Sequence, residues 1–146
     1  MVQLAKEQIG DPAYSYDTGI GSAGYKCNDF VFNVGESARI DMPTINGVPI
    51  KAWQWAQGVQ AVTDAGFVRV FDPQPGDIIA SSFLNEGHVG IVSGAGLTIS
   101  AGYIPGQIDG VVQNNWGFRG VSNYASLTAT YWRYTGASSP AFNWGK

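Results

Sequence analysis

The sequence predicts an α+β fold in which N-terminal helices pack on an antiparallel sheet of about five to six strands. Three observations predict it. Apolar residues repeat at helical spacing only up to about Ala65. From Phe67 onward the apolar residues alternate or run in short β-branched stretches. These stretches follow one another with only turns between them, and strands joined by turns pair antiparallel.

Taken in order, Val2 to Ile9 reads as a short helix, with Leu4, Ala5, Gln8 and Ile9 at helical spacing, stopped by Gly10-Asp11-Pro12. Tyr14 to Tyr25 is a loop rich in Gly, Ser and Tyr. A second helix opens near Cys27, with Phe30, Val31, Val34 and Ala38 on its inner face, and Asp41-Met42-Pro43 ends that unit. Ala52 to Ala65 is a third helical segment, weakened by Gly58. Phe67 to Phe71 alternates as a strand, and Asp72-Pro73-Gln74-Pro75-Gly76 is a turn. Further strands are expected over Asp77 to Phe83, His88 to Ser93, Leu97 to Ala101, Gly110 to Asn114 and Thr130 to Tyr134.

The chain has 146 residues, which suits one domain spanning 1–146. Apolar residues make up 45% and charged residues 13%, a composition that can bury a core. A net charge of −3 argues against nucleic acid and against an anionic membrane surface, both of which select a basic face. No apolar run is long enough to span a bilayer, so membrane insertion is not expected. The first residues, Met1 to Glu7, are too polar for a signal peptide. A protein working in the periplasm or cell wall would then need another route, or would be one domain of a longer chain. One cysteine excludes an internal disulfide. One Cys and one His are too few soft ligands for a closed zinc site, so neither metal nor cofactor is expected.

Those two single residues sit in informative places. Cys27 lies where a Gly-rich loop meets an amphipathic helix. A helix N-terminus favours anions, and the thiolate is the reactive form of cysteine. The N–H groups of a first turn can also hold an oxyanion. Lys26, Asn28 and Asp29 around the cysteine are polar, and the apolar face begins only at Phe30.

His88 opens the strand His88-Val89-Gly90-Ile91-Val92. Pairing it with Leu97 to Ala101 so that Val89 meets Ile99 and Ile91 meets Leu97 gathers the apolar residues on one face. This register sets Ser100 directly across from His88 on the other face. Gly90 and Thr98 share that face, and their small size leaves room for the Cys27 helix to approach.

Four segments resemble the NlpC-type cell-wall peptidases. Tyr25-Lys26-Cys27-Asn28-Asp29-Phe30-Val31 is similar to their nucleophile motif. Pro75-Gly76-Asp77-Ile78-Ile79 is similar to their Pro-Gly-Asp segment, and Gly87-His88-Val89-Gly90-Ile91-Val92 to their His-Val-Gly-Ile segment. Ile9-Gly10-Asp11-Pro12-Ala13-Tyr14 resembles their Gly-x-Pro-Tyr. The segments occur in the family's order over roughly residues 1–116. The resemblance implies a papain-like core, a Cys27 nucleophile and a His88 base. It also implies cleavage of amide bonds in peptidoglycan stem peptides.

The departures from that pattern define the remaining candidates. The family's Asp and Ser beside the cysteine help hold the substrate's amine. Lys26 and Asn28 stand there instead, which leaves the bond cleaved open. The family's third polar residue falls at Ser100, whose hydroxyl can accept a bond from imidazole Nδ1. Val111-Val112-Gln113-Asn114-Asn115-Trp116 also resembles the Glu-Gln-Asn-Trp stretch of the related CHAP amidases, which makes Gln113 and Asn115 alternatives to Ser100. Tyr14 or its neighbours would assist the N–H of Cys27 at the oxyanion. Lys26-Cys27-Asn28 and Asn114-Asn115-Trp116-Gly117-Phe118-Arg119 are together similar to amidase domains of bacterial toxins and type VI secretion effectors. That similarity implies delivery into a competitor's periplasm or wall, and an immunity protein as partner.

Two other functions compete. Aromatics make up 13% of the chain, and Trp53, Trp55, Trp116, Trp132 and Trp144 could line a glycan cleft in a non-catalytic binding module. Alternatively the Cys-His pair could serve an acyltransferase or a protein deamidase.

Overall fold

The structure, a computed structural model, describes residues 1–17, 26–82, 87–115 and 129–136. Helix α1 spans Val2–Glu7, followed by a 3-10 turn at Pro12–Tyr14 that the Asp11 side chain caps by accepting from the Ala13 N–H. Helix α2 spans Cys27–Ser37 and buries Phe30, Val31 and Val34 of the expected stripe, with Cys27 buried beside them and Ala38 only half-buried at the helix end. Arg39 takes a left-handed φ of 62°, and the Ile40 N–H reaches back to the Gly35 carbonyl, closing the helix end. The third expected helix is two. Gly58, at φ 67°, separates α3 (Ala52–Gln57) from α4 (Gln60–Asp64), as a left-handed glycine at a helix end does.

A two-stranded hairpin, β1 (Thr44–Ile45) and β2 (Val48–Pro49), was not anticipated from the sequence. Its signal is Asn46-Gly47, both at positive φ, the residue pair a tight hairpin turn requires. The main sheet has six antiparallel strands: β3 (Phe67–Val70), β4 (Ile78–Ser81), β5 (His88–Gly94), β6 (Leu97–Ile104), β7 (Ile108–Asn115) and β8 (Thr130–Tyr134). Their spatial order is β3-β8-β4-β5-β6-β7. Each expected strand is present, and β6 and β7 run further than the alternation suggested. Phe83 lies outside the described residues.

Between β4 and the turn before it, Asp77 does the stapling. It is buried, and it accepts from Arg133 Nε at 2.9 Å and Arg133 Nη2 at 2.8 Å, on β8. Its Oδ2 also accepts from the Gln74 N–H at 2.7 Å. The Pro-Gly-Asp segment therefore closes the turn and ties β4 to β8.

The helices cover one face of the sheet. Val89, Ile91, Ile99, Ala101 and Val111 share a core cluster with Phe30, Val31 and Val34 of α2. Ile79 and Val92 form a second cluster with Ala129 and Tyr131 on the opposite face. Two expectations are corrected here. The β5–β6 ladder pairs Ile91 with Ile99 and Val92 with Thr98, two residues away from the register expected, with an irregularity between Val92 and Gly94. And α2 packs over the Val89–Ile91 side, not over Gly90 and Thr98. The bulkier side chains bury more apolar area against the helix, and that gain outweighs the closer approach small residues permit.

Candidate active site

Cys27 is the first residue of α2, and α2 packs on β5, whose first residue is His88. Each therefore heads its element. Cys27 is 5% exposed and His88 6%, so neither is sealed completely. Lys26, the N-cap residue, is 4% exposed and donates from Nζ to the Tyr16 carbonyl at 3.2 Å.

His88 Nε2 lies 3.0 Å from Ser100 Oγ, and Ser100 is buried. A two-residue shift of register preserves the side of the sheet, so Ser100 keeps the face of His88 although it is no longer directly opposite. The ring nitrogen engaged is Nε2 rather than the Nδ1 expected. Gly102 completes the floor, since a Cβ there would come within 4.0 Å of His88 Cε1.

The other candidates scatter. Gln113 pairs with Ile99, on the far face from Ser100, and is exposed. Asn115 pairs with Leu97. Asn114 is the residue of that segment that meets the Ser100 face, where its Oδ1 accepts from Thr98 Oγ1 at 3.4 Å. Tyr14 is core: its ring meets Phe30 edge-on, and its hydroxyl accepts from Asn33 Nδ2 at 3.1 Å. Asn33 is six residues beyond Cys27, about 9 Å along the helix axis, so the Tyr14 hydroxyl is turned away from any oxyanion at Cys27. Asn28 is half-buried and lines a small cavity with Phe32, Met42, Pro49, Ile50 and Trp55.

Asp29, in the first turn of α2, is raised above the ordinary carboxylate value because burial disfavours its charge, and Lys26 and Lys51 offset this in part. Among the described residues no group of three His, Cys, Asp or Glu could hold a metal ion. No helix among them is long and apolar enough to cross a membrane. Of the tryptophans proposed for a glycan cleft, Trp55 and Trp132 are buried in the core, Trp53 is half-buried, and Trp116 and Trp144 lie outside the described residues.

One residue went unnoticed in the sequence. Tyr16 stacks on Tyr103 with ring centroids 4.1 Å apart, and its N–H donates to Asp109 Oδ1 at 2.7 Å. No local pattern announces contacts of such sequence separation.

N-terminal helices packed on one face of a six-stranded antiparallel sheet are compatible with a papain-like fold. The CHAP domain model matches residues 16–103, more than half of the chain and including Cys27, His88 and Ser100. The chain belongs to the CHAP family, whose domains are in general hydrolases of amide bonds in peptidoglycan. No protein of curated description matches it.

Proposed function

We propose that the protein is a cysteine amidase or endopeptidase of peptidoglycan stem peptides, with Cys27 as nucleophile, His88 as base and Ser100 orienting the imidazole. The observation that carries this reading is the buried 3.0 Å contact between His88 Nε2 and Ser100 Oγ, within the residues that the CHAP model matches together with Cys27. With the Nε2 proton donated to Ser100, Nδ1 carries the lone pair and takes the proton of the Cys27 thiol. The thiolate attacks the amide carbonyl, and first-turn N–H groups of α2 hold the oxyanion. The imidazolium then protonates the departing amine, leaving a thioester on Cys27. His88 next takes a proton from water, hydroxide adds to the thioester, and a carboxylate and the free thiol result.

Ser100 is neutral, so it stabilises the imidazolium less than a carboxylate would. Its hydrogen bond fixes tautomer and ring orientation. Gln113, on the far face, is not needed for this role.

We place its site of action in the periplasm or wall, where its substrate lies. The similarity of Lys26-Cys27-Asn28 to toxin amidases supports delivery as an antibacterial effector, with an immunity protein guarding the producer.

The test is mass spectrometry of muropeptides after digestion of purified peptidoglycan. Wild type is expected to release new amines and to identify the bond, and Cys27→Ala and His88→Ala to release none while remaining folded. Cleavage by either variant rejects the reading. Transfer to a second amine, or ammonia release from protein glutamine, would point instead to the acyltransferase or deamidase.

A further inference from the structure

Tyr16 joins the start of the helix that bears Cys27 to the β6–β7 hairpin, whose strand β6 pairs with the strand that bears His88. Its carbonyl accepts from Lys26 Nζ at 3.2 Å, and Lys26 is the residue immediately before Cys27. Its ring stacks on Tyr103 at 4.1 Å, with 20° between the planes. Tyr103 follows Gly102, the residue whose Cβ position stands 4.0 Å from His88 Cε1. Its N–H donates to Asp109 at 2.7 Å, and Asp109 pairs with Tyr103 across the β6–β7 hairpin. One residue thus contacts the start of the nucleophile helix by its carbonyl and the β6–β7 hairpin, next to Gly102, by its ring and N–H.

We propose that Tyr16 is a positioning residue that fixes the start of α2 relative to the β6–β7 hairpin and so sets the geometry between Cys27 and His88. This rests on the reading of Cys27 and His88 as the reacting pair. Errors of about 1 Å in such a pair cost on the order of 100-fold in rate, so a strut at this place governs turnover without touching substrate. The buried Lys26 ammonium supports the idea, because a lysine side chain gives up much rotamer freedom to be held this way. The stack and the charge-assisted bond to Asp109 are what hold its acceptor in place.

Cys27 is the chain's one cysteine, so alkylation by iodoacetamide reports that thiol alone. Rates of alkylation against pH, and kcat and KM on muropeptides, are to be measured for Tyr16→Ala, Tyr16→Phe, Asp109→Ala and the Tyr16→Ala/Asp109→Ala double variant. Tyr16→Ala is expected to lower kcat by about 10- to 100-fold with KM within about twofold, and to move the alkylation midpoint. Tyr16→Phe keeps the stack and both main-chain contacts, and should stay within about twofold of wild type. Asp109 is exposed, so Asp109→Ala should fold, and it should shift both readouts in the same direction. The double variant should lose little more than the worse single one, because both act through one strut.

Wild-type kcat and an unmoved alkylation profile in folded Asp109→Ala or Tyr16→Ala would overturn the proposal. So would a Tyr16→Phe defect as large as that of Tyr16→Ala, since the hydroxyl would then be responsible. Where Tyr16→Ala does not fold, Asp109→Ala decides. If wild type leaves peptidoglycan intact while the alkylation midpoint still moves with Tyr16, the hydrolase reading fails and the strut stands.

Discussion

Gly87 lies against the backbone of Trp53: a Cβ added at Gly87 would stand 2.9 Å from the Trp53 nitrogen and 2.7 Å from the Ser81 carbonyl oxygen. Gly87 also holds φ at +76°, a region that costs a side chain about 1 to 2 kcal/mol. The residue before His88 is therefore the point at which the first turn of α3 meets the sheet. Backbone atoms on both sides leave no flexible group to yield.

Gly87→Ala should destabilise the fold by about 2 to 4 kcal/mol, the sum of left-handed strain and overpacking. It should also depress hydrolysis beyond the fraction unfolded, because the shift falls on the neighbour of His88. Urea unfolding and kcat of the folded fraction check this. A variant as stable as wild type would show that α3 is not seated on Gly87.

Ser100→Ala removes the acceptor 3.0 Å from His88 Nε2 and leaves the ring without that restraint. A fall in kcat of about 10- to 100-fold at nearly constant KM is expected, smaller than for loss of a charged partner. Leaving a buried polar nitrogen unsatisfied should also cost roughly 1 to 3 kcal/mol of stability. Gln113→Ala, on the far face and exposed, should change neither. Turnover that depends on Gln113 and not on Ser100 would reverse the assignment.

Much of this arrangement could be read in the sequence, and the failures have physical causes. Helical periodicity located α2 and its buried stripe, and Gly58 marked the break that the structure realises. The face shared by His88 and Ser100 was legible because alternation fixes the parity of a register. Its absolute value was not, because a slip of two keeps every side chain on its side and the irregularity after Val92 absorbs the offset. The β1–β2 hairpin was missed because two-residue strands ending in Pro49 carry too little alternation, although Asn46-Gly47 announced the turn. Tyr14 was expected to assist at the oxyanion, and no local spacing announced that its ring would pack on Phe30. Tyr16, Tyr103 and Asp109 meet only through the tertiary fold, and no local spacing encodes that.

Arg133 and Asp77 should respond unequally to mutation. The Asp77 carboxylate is buried, at 3% side-chain exposure, whereas the Arg133 side chain is 35% exposed. Arg133→Met strands a buried charge, and Asp77→Asn leaves an amide that can still accept from the Gln74 N–H, with a guanidinium that water can reach. Arg133→Met should therefore lower the thermal midpoint more than Asp77→Asn. The double variant should lose less than the two singles combined. Thermal unfolding of the three variants measures this order, and a larger loss for Asp77→Asn would contradict it.

Asp29 gives the fold a pH dependence of definite sign. Burial raises its carboxyl above the ordinary value of 3.8, while Lys26 and Lys51 pull the other way, as does its first-turn place in α2. The folded chain then holds this proton to higher pH than the unfolded chain does. Where the folded state binds more protons, stability falls as pH rises. The contribution of protonated Asp29 is thus whole below 3.8, is lost as pH rises through the folded value, and stays lost at neutral pH. Asp29→Asn cannot ionise and should lack this slope. Relative to wild type it should gain stability as pH rises from the acid side, reaching a plateau near neutrality. Chemical unfolding of both proteins across that range reads the difference directly. A difference that is flat, or that narrows as pH rises, would mean that the lysines outweigh burial at this carboxylate.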